Sequence, residues 1–115
     1  TSLSIVASRT LEDVVGQLTE HREKIAVLAM RPPRVANKYM TWINAGRRAD
    51  VYGRELYVNL RTLDKSGAKE ILVEEVPAGE AWDAVRDRLH RAASAEHVVY
   101  GDPDIAALRA DLGQD

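Results

Sequence analysis

Cysteine is absent from the 115 residues of this chain, and its absence excludes several kinds of chemistry. Disulfide bonds, zinc–thiolate sites and a thiol nucleophile cannot occur. No apolar run approaches the roughly 20 residues that a membrane span needs, and the first residues lack the charged-then-apolar layout of a signal peptide. These features predict a cytoplasmic protein with no membrane contact. The chain opens on Thr1 rather than on methionine, so we expect a processed or excised segment.

The sequence signatures of nucleotide chemistry and of hydrolysis are also missing. Neither GxGxxG nor GxxxxGK[ST] occurs, and no GxSxG elbow is present. The three histidines, His21, His90 and His97, have no second histidine three or four residues away, so we expect surface or half-buried histidines rather than metal ligands. The acidic residues of a phospho-accepting receiver domain are absent after the first and third predicted strands. We therefore expect no catalytic residue, no metal and no cofactor in this chain.

Strand and helix patterns alternate along the chain, whose apolar fraction of 45% is that of an ordinary globular protein. Short β-branched or continuous apolar runs predict five strands, at residues 3–7, 25–30, 39–43, 70–76 and 97–100. Apolar stripes at helical spacing predict helices that begin near residue 11, span 50–66 and 80–95, and begin again at residue 103. Regular alternation with short links predicts one α/β domain over residues 1–115. We expect a three-layer Rossmann-like domain with a mostly parallel five-stranded sheet.

Positive charge is concentrated in one sector of a chain whose net charge is −2. Residues 24–49 contain six basic side chains and no acidic one. Loops that follow parallel strands meet at the carboxyl edge of a sheet, where α/β domains bind ligands. The candidates for anion binding at this edge are Arg31, Arg34, Arg47 and Arg48. They predict a weak contact with RNA phosphates or with an acidic surface, and the alternative is a set of solvated loop charges.

Charged residues at helical spacing form a second candidate surface. Arg61 and Asp64 lie three positions apart, and Asp87 and Arg91 lie four positions apart, so each pair shares a helix face. Arg88 lies beside the apolar stripe of the second of these helices. The functional interpretation is a face that docks a partner domain, and the simpler interpretation is ion pairing on an exposed helix surface. Tyr52 and Trp82 are expected in the core.

A resemblance to a known family rests on the segment from residue 52 to residue 93. Residues 54–64 read RELYVNLRTLD and are followed by Gly67, and residues 84–93 read AVRDRLHRAA. Between them lie Ile71, Glu74, Pro77 and Gly79. In composition and spacing this segment resembles the C-terminal accessory domain of two-domain threonylcarbamoyl-AMP synthases, the tRNA-modification enzymes of the YrdC-like superfamily. The resemblance is specific only in this segment, although it covers nearly the whole chain.

The departures from the family pattern limit what the resemblance implies. The family's Ala-x-Asn start of the helix is Gly53-Arg54-Glu55 here, and its Gly-Leu-Gly turn is Gly79-Glu80-Ala81. The family's linker and its nucleotide-binding catalytic domain are absent from the chain. No catalytic role is therefore carried over to any residue. The resemblance implies a non-catalytic accessory domain that packs on a YrdC-like catalytic domain in the same or another chain.

Two functional hypotheses remain open from the sequence. The first is an accessory domain of a protein that joins threonine, bicarbonate and ATP into threonylcarbamoyl-AMP for tRNA modification and so for translation, as the resemblance implies. The second is a stand-alone interaction module, or a small-anion-binding α/β module, of unknown pathway. The reading frame upstream of Thr1 discriminates between them, because a YrdC-like domain there supports the first hypothesis and a start codon just before Ser2 supports the second.

Overall fold

The protein is built around a parallel β-sheet. Its structure, a computed structural model, describes residues 2–35 and 37–95. Four strands form the sheet: β1 (Ser2–Val6), β2 (Ile25–Ala29), β3 (Met40–Asn44) and β4 (Glu70–Glu74). Their spatial order is β1-β4-β2-β3, and every neighbouring pair is parallel. The prediction of an α/β chain with a parallel sheet is thus confirmed. The strand number is corrected to four in the described part of the chain, since the strand predicted at 97–100 and the helix predicted from 103 lie outside it.

Four α-helices connect and cover the strands within the described residues. They are α1 (Leu11–Thr19), α2 (Ala49–Arg54), α3 (Leu56–Asp64) and α4 (Asp83–Ala95). Short 3-10 turns at Ser8–Thr10 and Glu80–Trp82 lead into α1 and α4. Gly67 closes the segment after α3 with a φ of 85°, a left-handed conformation that glycine adopts without a steric penalty. None of these helices is long and apolar enough to cross a lipid bilayer.

The prediction of a single helix over residues 50–66 is wrong. The backbone leaves the helical region at Glu55, where φ is −100° and ψ is 4°, and α2 and α3 are separate helices on either side of it. The apolar positions of the two helices continue the same spacing, so their stripe looks unbroken in the sequence. The break redirects the chain, so that α2 contacts α4 while α3 packs on β2.

The helices divide between the two faces of the sheet. Side chains of β2 alternate in direction, as they must in a strand. Ile25 and Val27 pack with α1 on one face, whereas Ala26 and Leu28 pack with α2, α3 and α4 on the other. All five residues of β2 are buried, which agrees with the expectation that this apolar run is covered on both faces. The two faces of the sheet therefore carry different helices, α1 on one and α2, α3 and α4 on the other.

Candidate functional site

A buried carboxylate, that of Glu74, lies at the carboxyl edge of the sheet where β4 ends. Its side chain has no exposed surface. One oxygen, Oε1, accepts a hydrogen bond of 2.8 Å from the backbone N–H of Met30, and Oε2 accepts one from the Ser8 hydroxyl. The Nε of Arg31 lies 3.9 Å from Oε2. Both oxygens accept hydrogen bonds from protein donors. This carboxylate therefore links the ends of β1, β2 and β4 and does not serve as a free ligand-binding group.

The first two candidate arginines of the basic sector lie against α1. The Nη1 of Arg31 donates to Oε2 of Glu12 at 2.6 Å, and the Arg31 guanidinium carbon lies 5.6 Å from the centre of the Trp42 ring. The backbone N–H of Arg34 donates to the same Glu12 oxygen at 3.0 Å. Arg31 is only 22% exposed, whereas Arg34 is 81% exposed. The Arg-Pro-Pro-Arg loop is therefore folded onto α1, and its partly buried arginine is already paired.

The other two candidate arginines follow β3 and lead towards the opposite face of the sheet. Arg47 is exposed. Arg48 precedes α2, and its Nη2 donates to Oδ2 of Asp50 at 3.0 Å. This hydrogen bond, with one from the backbone N–H of Val51, holds the pKa of Asp50 below its ordinary value. The contacts of the described residues thus attach Arg31 and Arg34 to α1 and Arg48 to α2, and anion binding by the four candidate arginines stays a prediction.

Tyr52 and Trp82 lie in the core, as the sequence predicted. Their rings meet edge to face with centres 5.3 Å apart. The Tyr52 hydroxyl is buried and has no hydrogen-bond partner among the described residues. Burial raises the pKa of Tyr52 well above its ordinary value, and the negative charges of Glu74 and Glu75 raise it further. The ring contact anchors α2 against the 3-10 turn that begins α4.

An open groove separates α2 from α4 and has a volume of about 670 Å³. We call it the α2–α4 groove; it is lined by Arg48, Ala49, Asp50, Gly53, Arg54, Ala81, Ala84, Val85 and Arg88. Small apolar side chains form much of its lining, together with three guanidinium groups and one carboxylate. The groove brings together Arg48, a predicted anion-binding residue, and Arg88, a predicted docking residue. The positions of Arg48 and Arg88 in the sequence do not predict that they lie in one groove, because their proximity depends on how α2 and α4 pack.

Gly53 sets how closely the two helices approach at the base of the groove. A Cβ atom at this position would lie 3.2 Å from Cγ2 of Val85 and 3.9 Å from Nη1 of Arg88. The first distance is tighter than an ordinary contact between carbon atoms. The absence of a side chain at Gly53 therefore lets α4 pack directly on α2. This glycine is one of the positions at which the sequence departs from the family pattern.

The remaining docking candidates lie on α3 and α4, which cover the same face of the sheet. Asp87 and Arg91 form the ion pair that their spacing predicts, with Nη2 of Arg91 2.6 Å from Oδ2 of Asp87. Both side chains are about two-thirds exposed, so the pair adds little to stability. Arg61 is exposed on α3 and Asp64 is half-buried. Their role in docking stays a prediction.

Sequence reasoning did not single out Glu12, Glu74 or Arg54 as site residues. Glu74 could have been found from the sequence. It is an acidic residue that directly follows the apolar run Ile71–Val73, in a strand expected to be covered on both faces. Glu12 and Arg54 read as ordinary charges on helix surfaces. The partners of Glu12 are Arg31 and Arg34, which lie far from it in the sequence, and Arg54 reaches the groove only through the packing of α2 on α4.

Comparison with known protein families identifies a family that this chain matches. The family model described as "Threonylcarbamoyl-AMP synthase, C-terminal domain" matches residues 1–94, which is most of the chain. This match covers all four strands and the groove. Comparisons with curated proteins and with solved structures find no match.

Proposed function

Since this chain belongs to the family formed by the C-terminal domains of threonylcarbamoyl-AMP synthases, we propose that it is a non-catalytic accessory domain of a tRNA-modification protein and packs on a YrdC-like catalytic domain. The family match carries the proposal. Two features of the described residues support it. The buried Glu74 carboxylate is occupied by protein donors, and the open α2–α4 groove offers a surface of mixed apolar and cationic character.

The chemistry of the buried side chains supports the non-catalytic role. A general acid or base must reach the substrate and must exchange a proton with it. Glu74, the carboxylate at the carboxyl edge of β4, has no exposed surface and faces three protein groups. The Tyr52 hydroxyl is buried with a raised pKa, so it stays protonated at neutral pH. Neither group fits the role of a catalyst, and a role in shaping the edge of the sheet fits both.

The exposed side chains of α3 and α4 support the docking role. The predicted docking residues lie on α3 and α4, and Arg88 also lines the α2–α4 groove. Tyr57 and Val58 on α3 are 50% and 59% exposed, and exposed apolar side chains next to charged ones are common at protein interfaces. The face of the sheet that carries α2, α3 and α4 is accordingly our choice for the contact with the catalytic domain.

The test combines an association measurement with an activity measurement. The 115-residue chain is titrated with a purified YrdC-like catalytic domain from the same organism, and heat of binding is recorded. Threonylcarbamoyl-AMP formation from threonine, bicarbonate and ATP is then measured for the chain alone, the catalytic domain alone and the mixture. We expect association, no product from the chain alone, and altered turnover in the mixture. Product formed by the pure chain, or no association, would contradict the proposal.

A further inference from the structure

The α2–α4 groove has an amphipathic lining whose positive charge is only partly compensated. Of its three guanidinium groups, that of Arg48 is paired with Asp50. Arg54 and Arg88 form no ion pair or hydrogen bond with another residue that the structure describes, and both are exposed at the groove. The same lining includes Gly53, Ala84 and Val85. Ligands that fit such a lining carry negative charge and a small apolar group.

The composition of the groove discriminates between classes of anionic partner. Single-stranded nucleic acids are held by basic grooves in which aromatic side chains stack on the bases, and no aromatic residue lines this groove. Carboxylates suit planar guanidinium groups, which bind them through two parallel hydrogen bonds. The Arg48–Asp50 pair, with two such bonds of 3.3 and 3.0 Å, is an example among the lining residues themselves. The features favour a protein segment with acidic side chains.

We propose that the α2–α4 groove docks a segment of the catalytic domain in which acidic side chains flank a small apolar one. The carboxylates pair with Arg54 and Arg88, and the apolar side chain lies on Ala84 and Val85. This inference rests on the proposed function for the identity of the partner. The groove's preference for acidic peptides rests only on its own lining and is tested separately.

The first experiment uses the blocked tripeptide Glu-Leu-Glu as the probe and Gln-Leu-Gln as its uncharged match. Amide chemical shifts of the isotopically labelled 115-residue chain are followed during titration at low and high salt. We expect shifts centred on Gly53, Arg54 and Arg88, and binding about tenfold weaker for the uncharged peptide. Rising salt should weaken binding of the acidic peptide only. An oligouridylate probe is titrated in parallel.

Charge-reversal variants locate the binding. The double variant Arg54→Glu, Arg88→Glu should lose the response to Glu-Leu-Glu. The matched control is Arg9→Glu, which makes the same kind of change at an exposed site beside α1 on the other side of the sheet and should retain it. Amide spectra of every variant report whether the fold is intact. Equal binding by the double variant overturns the proposal, and so does a groove that responds to oligouridylate and not to the acidic peptide.

A second experiment separates this inference from the proposed function. The double variant and the Arg9→Glu control are titrated with the catalytic domain. If the wild-type chain and the control associate with it and the double variant does not, both proposals stand. If all three associate equally, the groove is not the docking site although the accessory role stands. If the peptide binds the groove but the catalytic domain never associates with the chain, the proposed partner is wrong, and with it the inference as stated.

Discussion

The backbone N–H of Met30, just after β2, donates a hydrogen bond of 2.8 Å to the buried Oε1 of Glu74 at the end of β4. A side chain thus continues the sheet's hydrogen bonding past the point where the two backbones separate, since the last paired residues of these strands are Leu28 and Val73. The other oxygen of the same carboxylate binds the Ser8 hydroxyl after β1. One acidic residue therefore organises three of the loops at the carboxyl edge.

Removing this carboxylate should destabilise the domain markedly. Glu74→Ala leaves the buried N–H of Met30 without an acceptor, which costs about 1–3 kcal/mol. Glu74→Gln retains an acceptor for that N–H and should cost less. The measurement is urea unfolding followed by tryptophan fluorescence. The matched control is Glu75→Ala, one residue further and half-buried. A loss for Glu74→Ala no larger than for this control would show that the network contributes nothing to stability.

Replacing Tyr52 by phenylalanine should leave the domain as stable as before or stabilise it by about 1 kcal/mol. The hydroxyl is buried without a hydrogen-bond partner among the described residues, so its removal breaks no hydrogen bond with them. Removal also eliminates the free-energy cost of burying a polar group that has no such partner. Urea unfolding at neutral pH gives the comparison. Tyr57→Phe, at a half-exposed position on α3, is the control and should change nothing. A clear destabilisation by Tyr52→Phe would reveal a partner for the hydroxyl.

Alkaline pH should unfold the wild-type chain more readily than the Tyr52→Phe variant. The folded state raises the pKa of Tyr52 through burial and the charges of Glu74 and Glu75. Above the ordinary tyrosine pKa of about 10, the unfolded chain has released this proton while the folded chain still holds it. The unfolded state then binds fewer protons, so stability falls as pH rises. Unfolding free energies measured from about pH 8 to 11 should decline more steeply for the wild type. Identical slopes would contradict the raised pKa.

Gly53→Ala should destabilise the chain even though alanine favours a helix more than glycine does. The intrinsic gain is about 0.5–1 kcal/mol, but the new Cβ would lie 3.2 Å from Cγ2 of Val85, a branched side chain with little freedom to move. In a Val85→Ala background that methyl group is gone, and the same substitution should become stabilising. Urea unfolding of all four chains completes the double-mutant cycle. Additive effects would mean that the helices are not in contact there.

Glu12→Ala should loosen the loop between β2 and β3. Glu12 accepts hydrogen bonds from the Arg31 side chain and the Arg34 backbone, and without it the loop keeps fewer contacts with α1. Trypsin cannot cut readily after Arg31, because proline follows, but it can cut before the exposed Val35. We expect faster cleavage after Arg34, measured by mass spectrometry. The control, Asp13→Ala on the next position of α1, should be cut at the wild-type rate.

The sequence predicted the sheet better than it predicted the helices. Continuous apolar runs such as Ile25–Ala29 identify strands that are buried on both faces. In a parallel sheet helices cover both faces, so side chains pointing in either direction are apolar. The division between α2 and α3 could not be predicted in this way. Tyr52, Leu56 and Leu60 keep the spacing of one uninterrupted helix, and the break at Glu55 serves the packing of α2 on α4, which is a contact between distant segments.

The candidate site was predictable only in part, for a related reason. Arg48 and Arg88 were both selected from sequence, but as members of different surfaces, and the packing of α2 on α4 places them in one groove. Arg31 was selected as a ligand for anions, yet Glu12, 19 positions earlier, is its partner. Charge patterns along a chain show which residues carry charge, whereas pairing depends on elements that meet only in the fold.

The place of β4 between β1 and β2 has a consequence for biosynthesis. The hydrogen bond from the Ser4 hydroxyl to the Glu70 carboxylate joins residues 66 positions apart. At about 5–20 residues per second, a ribosome needs roughly 3 to 13 seconds to synthesise the segment that separates these two residues. During that interval β2 and β3 can pair with each other, while β1 lacks the strand it pairs with in the described sheet. Assembly of this domain must therefore wait for its last described strand, and a nascent chain stalled before β4 would leave β1 open to chaperones or to aggregation.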